Sequence, residues 1–264
     1  MRKLFIFPVT ILIVLSACSK VAVTGRNQLS FIPASEMQSL SYTQYQQFLS
    51  ENKVSTDAQK TTMVKNCGQR IQKAVEQYMA QNNLSSQLAN FKWEFNLVED
   101  PTVNAWCMPG GKVVVYTGIL PVVQDETGLA VVLGHEIAHA IANHGGERMS
   151  QELAVQTGGQ ALSVALAQKP ALTQQLFLQS FAIGSQVGVL LPYSRLHESE
   201  ADHIGLIFMA MAGYDPNVAV SFWQRMKAQG GQKPPEFLST HPADDKRIAA
   251  IQKEMPEAMR YYKK

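Results

Sequence analysis

The chain contains the run His135-Glu136-Ile137-Ala138-His139. If this stretch is helical, the two histidines lie one turn apart on a single face. Two imidazoles so placed can share one Zn²⁺ through neutral nitrogens at ~2.0–2.1 Å. Glu136 then lies beside the ion, where its carboxylate can take a proton from a water that the ion has acidified. Val131, Val132, Leu133, Ile137, Ala138, Ala140 and Ile141 surround the charged triplet with uncharged residues. The helix is therefore expected to be buried, and buried His and Glu must be paired or ligated.

A catalytic zinc takes a third protein ligand and keeps one position open. On one continuous helix, His144 is rotated off the metal face and reads as a helix-end residue or one that supports a ligand from behind. Positions 142 and 145 hold Ala142 and Gly145, which excludes the metzincin pattern of Gly and His there. The run His197-Glu198-Ser199-Glu200-Ala201-Asp202 offers Glu198 and Asp202, four apart on one helical face. One of these carboxylates can bind the ion while the other orients a ligand histidine through its second ring nitrogen. Glu200 faces elsewhere, and His197 and His203 are fallback ligands. All six histidines fall between His135 and His241, as a metal site would concentrate them.

These side chains need elements to hold them. Ser35 can cap a helix running to about Asn52. A second helix is expected over 56–82, with Val64, Cys67, Ile71, Val75 and Tyr78 recurring every three to four residues. Phe91, Trp93, Phe95 and Leu97 alternate with polar residues as in a half-buried strand. Asp100-Pro101 reads as a turn. Val103 to Cys107 and Lys112 to Tyr116 flank Met108-Pro109-Gly110-Gly111 and read as a hairpin or a paired edge. A long helix is expected from about Glu126 to His144. The stretch from Pro170 to Ser194 carries no charge, but its glutamines and serines favour a buried helix pair over a membrane-dipping segment. Another helix runs from Ser194 to Ala212 and stops at Gly213. Asp215-Pro216 reads as a cap and first helical position. Gly230-Gly231 and Pro234-Pro235 make a loop, and a last helix begins near Pro242. With no repeat and no strong linker, 35–264 reads as a single domain. The fold class is α+β, mainly α, with a small sheet whose edge strand precedes the helix of the two histidines.

The chain has 264 residues, of which 46% are hydrophobic and 17% charged. That composition supports a sizeable core and excludes a disordered polyelectrolyte. The net charge of +2 comes from Arg2 and Lys3. The rest is balanced and has no basic run, which argues against nucleic-acid binding. Met1-Arg2-Lys3, the apolar stretch from Leu4 to Leu15 and the small residues after it make a secretory signal peptide over 1–17. Its apolar part is too short to cross a bilayer of ~30 Å. Leu15-Ser16-Ala17-Cys18 resembles the bacterial lipobox, which implies cleavage before Cys18 and a lipid anchor on that residue. Residues 18–34 then read as the lipidated cysteine and an extended tether. Cys67 and Cys107 allow one disulfide or two buried thiols. Neither has the spacing of a zinc ligand set.

Five ordered motifs, spread over Phe91 to Ile251, together resemble the gluzincin metallopeptidases that include HtpX, the CAAX prenyl protease and the mitochondrial Oma stress protease. The chain is most similar to the Oma-like branch of bacterial periplasmic lipoproteins. The motifs are Val103-Asn104-Ala105-Trp106 with Pro109-Gly110-Gly111; Tyr116-Thr117-Gly118; and Gly134-His135-Glu136-Ile137-Ala138-His139. Then come Leu191-Pro192-Tyr193-Ser194-Arg195 with Glu198-Ser199-Glu200-Ala201-Asp202-His203-Ile204-Gly205, and Leu238-Ser239-Thr240-His241-Pro242 with Arg247. The resemblance implies a zincin-like metallopeptidase domain and one Zn²⁺ per chain on His135, His139 and Glu198. It implies Glu136 as general base and acid, Asp202 as the partner of a ligand histidine, and His241 as a group that stabilises the oxyanion. HtpX and the CAAX protease have membrane-spanning helices that this chain lacks, so the resemblance does not extend to prenylated or membrane-embedded substrates.

The function expected from all this is zinc-dependent endopeptidase cleavage of unfolded or damaged cell-envelope proteins. The enzyme would face the periplasm, with the outer membrane favoured because Ser19, not Asp, follows Cys18. Val103, Asn104, Ala105 and Trp106 can form an edge strand that pairs with an extended polypeptide substrate. Arg195 is expected to have a structural role. The competing class is a latent zinc-binding lipoprotein that holds unfolded chains as a chaperone would. Glu136 speaks against it, since a binder needs no base there.

Overall fold

The computed structural model describes residues 18–157, 170–181, 194–230 and 235–263. The expected signal peptide, the second half of the uncharged stretch with Leu191-Pro192-Tyr193, and the loop residues 231–234 lie outside the described residues.

The chain starts with a hairpin. Strands β1 (Cys18–Lys20) and β2 (Asn27–Leu29) pair antiparallel with Ser19 opposite Gln28. The turn closes when Val21 N–H donates to Arg26 O at 2.8 Å, and Gly25 takes φ +69, which glycine adopts without strain. Val21 and Ile32 are buried in the core. The expected tether over 18–34 is thus corrected: two apolar anchors and the ion pairs of Arg26 hold this stretch against the domain.

Helix α1 (Ala34–Glu51) follows Pro33, so Ser35 lies inside the first turn and does not cap it. Its face Met37, Ser41, Tyr45 and Phe48 is buried. Helix α2 (Ala58–Gln81) starts at Asp57, which accepts Lys60 N–H at 3.0 Å. It buries Val64, Cys67, Ile71 and Val75 at helical spacing. Next come β3 (Glu94–Val98), β4 (Ala105–Met108) and β5 (Lys112–Tyr116), in sheet order β3-β5-β4. Asn96 pairs parallel with Val114, and Trp106 pairs antiparallel with the same residue. Gly110 and Gly111 turn the β4–β5 hairpin at φ +82 and +81. Strand β5 is therefore central, and β4 is one of the two edge strands.

Helix α3 (Leu120–Val123) leads into α4 (Glu126–Ile141), whose first turn is capped by Asp125 accepting Gly128 N–H at 2.8 Å. Every residue of α4 from Gly128 to Ile141 is buried, as expected of a helix that is apolar all round. Fully burying Leu129, Leu133 or Ile137 contributes ~1.5–3 kcal/mol each. The long helix expected to reach His144 is instead two helices. Asn143 adopts φ +56, a left-handed conformation that asparagine tolerates better than most residues. The chain turns there, and α5 (His144–Thr157) starts at His144. Helix α6 (Pro170–Ser180) is the part of the expected helix pair that falls within the described residues.

Helix α7 (Arg195–Met211) begins with Ser194 Oγ accepting His197 N–H at 3.2 Å. Helix α8 (Val218–Gln229) starts after Asn217, slightly later than Asp215-Pro216 suggests, because Asp215 instead accepts Asn217 N–H at 3.0 Å. A short helix α9 (Glu236–Thr240) precedes α10 (Asp245–Ala258), which Asp244 caps through Arg247 N–H at 2.8 Å.

Helix α4 runs through the middle, packed against α2, α7, α8 and β4. Its crossing with α7 is backbone to backbone. A Cβ on Gly134 would lie 2.8 Å from Gly205 O, and one on Gly205 would lie 2.9 Å from the Gly134 carbonyl carbon. No side chain separates the helices here, so groups flanking Gly134 on α4 meet groups one and two turns before Gly205 on α7. A second apolar cluster, with Tyr45, Phe48, Trp106, Tyr116 and Phe177, joins α1 and α6 to the sheet. Cys67 and Cys107 are both buried free thiols. No helix among the described residues is long and apolar enough to cross a membrane.

Candidate metal centre

The α4–α7 crossing places His135 and His139 against Glu198 and Asp202. His135 Nε2 and His139 Nε2 are 3.0 Å apart. Glu198 Oε1 lies 3.3 Å from His139 Nε2, and Glu198 Oε2 lies 3.5 Å from His135 Nε2. His241, which ends α9, brings Nδ1 to 2.9 Å from Glu198 Oε1 and 3.2 Å from His135 Nε2. Ligand atoms of these four residues all lie within 4.8 Å of one another. A tetrahedral ion with bonds of ~2.0–2.1 Å holds its ligand atoms roughly 3.3–3.4 Å apart, close to the spacings found.

Hydrogen-bond partners assign the ring hydrogens. Asp202 Oδ1 lies 3.0 Å from His135 Nδ1, so that nitrogen donates and Nε2 points its lone pair at the centre. His139 Nδ1 faces His144 Nδ1 at 2.8 Å, and His144 Nε2 faces Glu200 Oε2 at 3.0 Å. The carboxylate takes the His144 hydrogen, so His144 Nδ1 accepts from His139 Nδ1–H, and His139 Nε2 also presents a lone pair. Two ring nitrogens 3.0 Å apart need a shared proton or a cation between them. The charges agree. Glu136, Glu198 and Asp202 are buried with one guanidinium, that of Arg247, so the buried carboxylates outnumber it and the centre favours a further cation. The donor set of imidazoles and a carboxylate suits zinc.

Arg247, in the first turn of α10, belongs to the last of the five motifs, but its spacing assigns it no role in the site. Its Nε and Nη2 grip both oxygens of Asp202 at 2.8 Å each. Its Nη1 lies 2.7 Å from Glu198 Oε2 and donates to Pro242 O at 3.1 Å. The guanidinium lies 3.4 Å over the Trp223 ring. Burial works against its charge, but Asp202 and Glu198 outweigh burial and raise its pKa. Nothing in Asp244-Asp245-Lys246-Arg247 distinguishes it from a solvated helix start. Burial likewise lowers the pKa of His135, but Glu198 and Asp202 overcome it and raise the imidazole to about 9. Burial dominates at His139, which is lowered well below its ordinary value.

Glu136 is buried beside the donor group, and its pKa is raised, chiefly by burial. Its Oε1 has no hydrogen-bond partner among the described residues and lies 3.4 Å from His241 Nε2. A buried carboxylate oxygen without a hydrogen-bond partner calls for an explanation, and a functional role is one.

Other candidates fall elsewhere. Glu200 pairs with Arg26 and His144, His197 pairs with Glu147, and His203 pairs with Glu254. Arg195 is largely exposed and lies 3.6 Å from Asp244. His144 touches a candidate ligand from the start of α5, not from the helix of His139. His241 lies among the donor atoms, closer than an oxyanion donor needs to be. In the candidate substrate strand, Trp106 is buried and packs edge-on against Phe48 at 5.0 Å between ring centroids. Asn104 donates to Glu236 at 3.1 Å, Ala105 is buried, and Val103 O accepts Phe237 N–H at 3.2 Å. The Trp106 side chain therefore belongs to the core, and α9 already pairs with the start of this strand.

Comparison with known proteins agrees with this geometry. The mitochondrial metalloendopeptidase OMA1 of Schizosaccharomyces pombe is 45% identical over 177 residues, covering 66% of this chain and 50% of that protein. The human metalloendopeptidase OMA1 is 30% identical over 244 residues, covering 90% of this chain and 46% of its own length. The β-barrel assembly-enhancing protease of Yersinia pestis is 33% identical over 162 residues, covering 60% and 33% respectively. The chain thus spans about half the length, or less, of the curated relatives it matches. Residues 67–255 match the family model for peptidase family M48 and take in the larger part of α2, the three-stranded sheet and every donor of the centre; the chain belongs to that family.

Proposed function

We propose that the protein is a zinc-dependent endopeptidase, with one Zn²⁺ held by His135, His139 and Glu198. The observation that carries this reading is the convergence of His135 Nε2 and His139 Nε2 at 3.0 Å, with Glu198 and His241, in one buried donor group beside Glu136. Zinc bound there would supply Lewis acidity and lower the pKa of a coordinated water. Glu136 accepts a proton from the attacking water and returns it to the departing amine. Asp202 holds the His135 ring through Nδ1, and Arg247 holds Asp202. His241, whose Nε2 lies 3.4 Å from Glu136 Oε1, would donate to the oxyanion. Burial keeps bulk water away from these groups and strengthens each interaction.

The substrates we infer are unfolded or damaged polypeptides of the cell envelope. Extended chains suit an edge strand, and we assign that role to the stretch from Val103 to Trp106, which leads into β4 at the sheet edge. We place the protein at the periplasmic face of a bacterial membrane, the outer membrane by preference, anchored by a lipid on Cys18. The kinship to envelope and mitochondrial peptidases and the signal-like start support this placement.

The test is hydrolysis of unfolded casein by the full chain and by Glu136→Gln, with bound zinc counted in both. Loss of the general base is expected to lower the rate ~10²–10⁴-fold while the zinc content stays near one per chain. Equal rates would remove Glu136 from the chemistry. No zinc in either protein would refute the ligand set.

A further inference from the structure

The N-terminal hairpin reaches the metal centre through a continuous set of contacts. Arg26, at the end of its turn, donates from Nε to Glu200 Oε2 at 2.8 Å. Its Nη1 and Nη2 grip both oxygens of Glu147 at 3.1 and 2.7 Å. The Thr24 hydroxyl donates to Glu200 Oε1, so both oxygens of that carboxylate are held by the hairpin. Glu200 Oε2 in turn accepts from His144 Nε2 at 3.0 Å, and His144 Nδ1 meets His139 Nδ1 at 2.8 Å. His197 stacks on the His144 ring with centroids 4.4 Å apart and an interplanar angle of 20°, and is itself tied to Glu147 at 3.0 Å. A single guanidinium therefore holds two acidic residues: Glu200 bonds the His144 ring directly, and Glu147 bonds His197, which stacks on that ring.

We propose that Arg26 is a positioning residue for the metal centre, acting through Glu200 and His144 to fix the ring angle and hydrogen placement of His139. The chain of contacts explains why Arg26 is folded onto α5 and α7. With Glu200 oriented, His144 Nε2 keeps its hydrogen, Nδ1 remains an acceptor, and His139 Nε2 stays turned to the ion. Without that order, His144 can present a hydrogen to His139 Nδ1 and force His139 into the tautomer whose Nε2 cannot bind metal. Residues that orient a ligand imidazole in this way commonly change metal affinity or activity 10–100-fold. The inference rests on the zinc reading above.

The test compares Arg26→Ala, Arg26→Lys and Glu147→Gln in the full chain. Zinc affinity is read by competition with a chelator, the visible absorption of the cobalt-loaded protein reports ligand geometry, and melting of the chelated protein reports the fold alone. Arg26→Ala is expected to weaken zinc binding about 10- to 100-fold and to alter the cobalt bands, with Arg26→Lys in between. Glu147 bonds neither ring nitrogen of His144, so Glu147→Gln is expected to lower melting while weakening zinc binding much less than Arg26→Ala does. The proposal is overturned if Arg26→Ala binds zinc like wild type, or if both variants weaken binding equally. Should Arg26→Ala fail to fold, His144→Gln decides by the same zinc measurement, and unchanged affinity there also overturns it. Wild-type protein that holds no zinc would instead remove the metal reading itself.

Discussion

Gly134→Ala isolates what the contact between α4 and α7 does for the site. A Cβ at this position would lie 2.8 Å from Gly205 O, whereas ordinary contacts begin near 3.4 Å. The helices must therefore part by roughly 0.6 Å at the crossing. Overpacking of this kind costs ~1–3 kcal/mol, and the helix preference of alanine over glycine returns ~1 kcal/mol. The net loss is about 0–2 kcal/mol, or up to ~8 °C in melting temperature for a domain of this size. The centre is less forgiving, because ligand distances must hold to about ±0.2 Å. His135 sits next to Gly134 on one helix and Glu198 is on the other, so the separation falls directly on the donor set. The expected result is a modest fall in the melting temperature of chelated protein and a loss of zinc affinity of more than about tenfold, in the range seen when ligand orientation is lost. Calorimetry of the chelated protein and chelator competition measure the two. A variant that melts higher than wild type and binds zinc equally well would refute the idea that backbone contact sets the ligand spacing.

Two further outcomes follow from the charge network. Arg247→Ala leaves the buried carboxylates of Asp202 and Glu198 without their cation, and is expected to cost ~3–5 kcal/mol in urea unfolding; a cost below about 1 kcal/mol would mean that the guanidinium does not compensate them. Burial raises the Glu147 carboxyl, but its bonds to His197 and Arg26 prevail and lower it to about 2 from an ordinary 4.5. A depressed folded-state value contributes stability above the unfolded value and loses it as pH falls through the window between the two. Glu147→Gln should therefore lose less urea resistance than wild type between about pH 5 and pH 3, and parallel curves would contradict the assignment.

The parts of the site that were legible in the sequence are those written in helical spacing. His135 and His139 share a face because they are four apart, and so do Glu198 and Asp202. Apolar spacing marked α2, and the paired glycines marked the β4–β5 turn, whereas the caps expected at Ser35 and Asp215 do not start α1 and α8. Long-range placement left no such signal. Arg247 lies 45 residues beyond Asp202, in a run that looks solvated. The break at Asn143 contains no proline, and it moves His144 onto a new helix while keeping it against His139. The hairpin over 18–34 was read as a tether because its strands are only three residues long, too short for alternation to show. Trp106 looked equally suited to a cleft or a core, and only the aromatic residues of α1 decide for the core. That β3 runs parallel to β5 follows from chain path, not from pattern.

Burial of the two thiols has a practical side. Burial raises Cys67 to about 12 and Cys107 well above its ordinary value, so in the native state neither forms the thiolate that electrophiles attack. In an opened chain both return to ~8.5 and become reactive. Alkylation at neutral pH then keeps time on the molecule's excursions: Cys67 reports release of α2 from α4, and Cys107 reports loss of the edge strand. The ratio of the two modification rates tells whether the domain opens as a whole or piece by piece, without adding any probe to it.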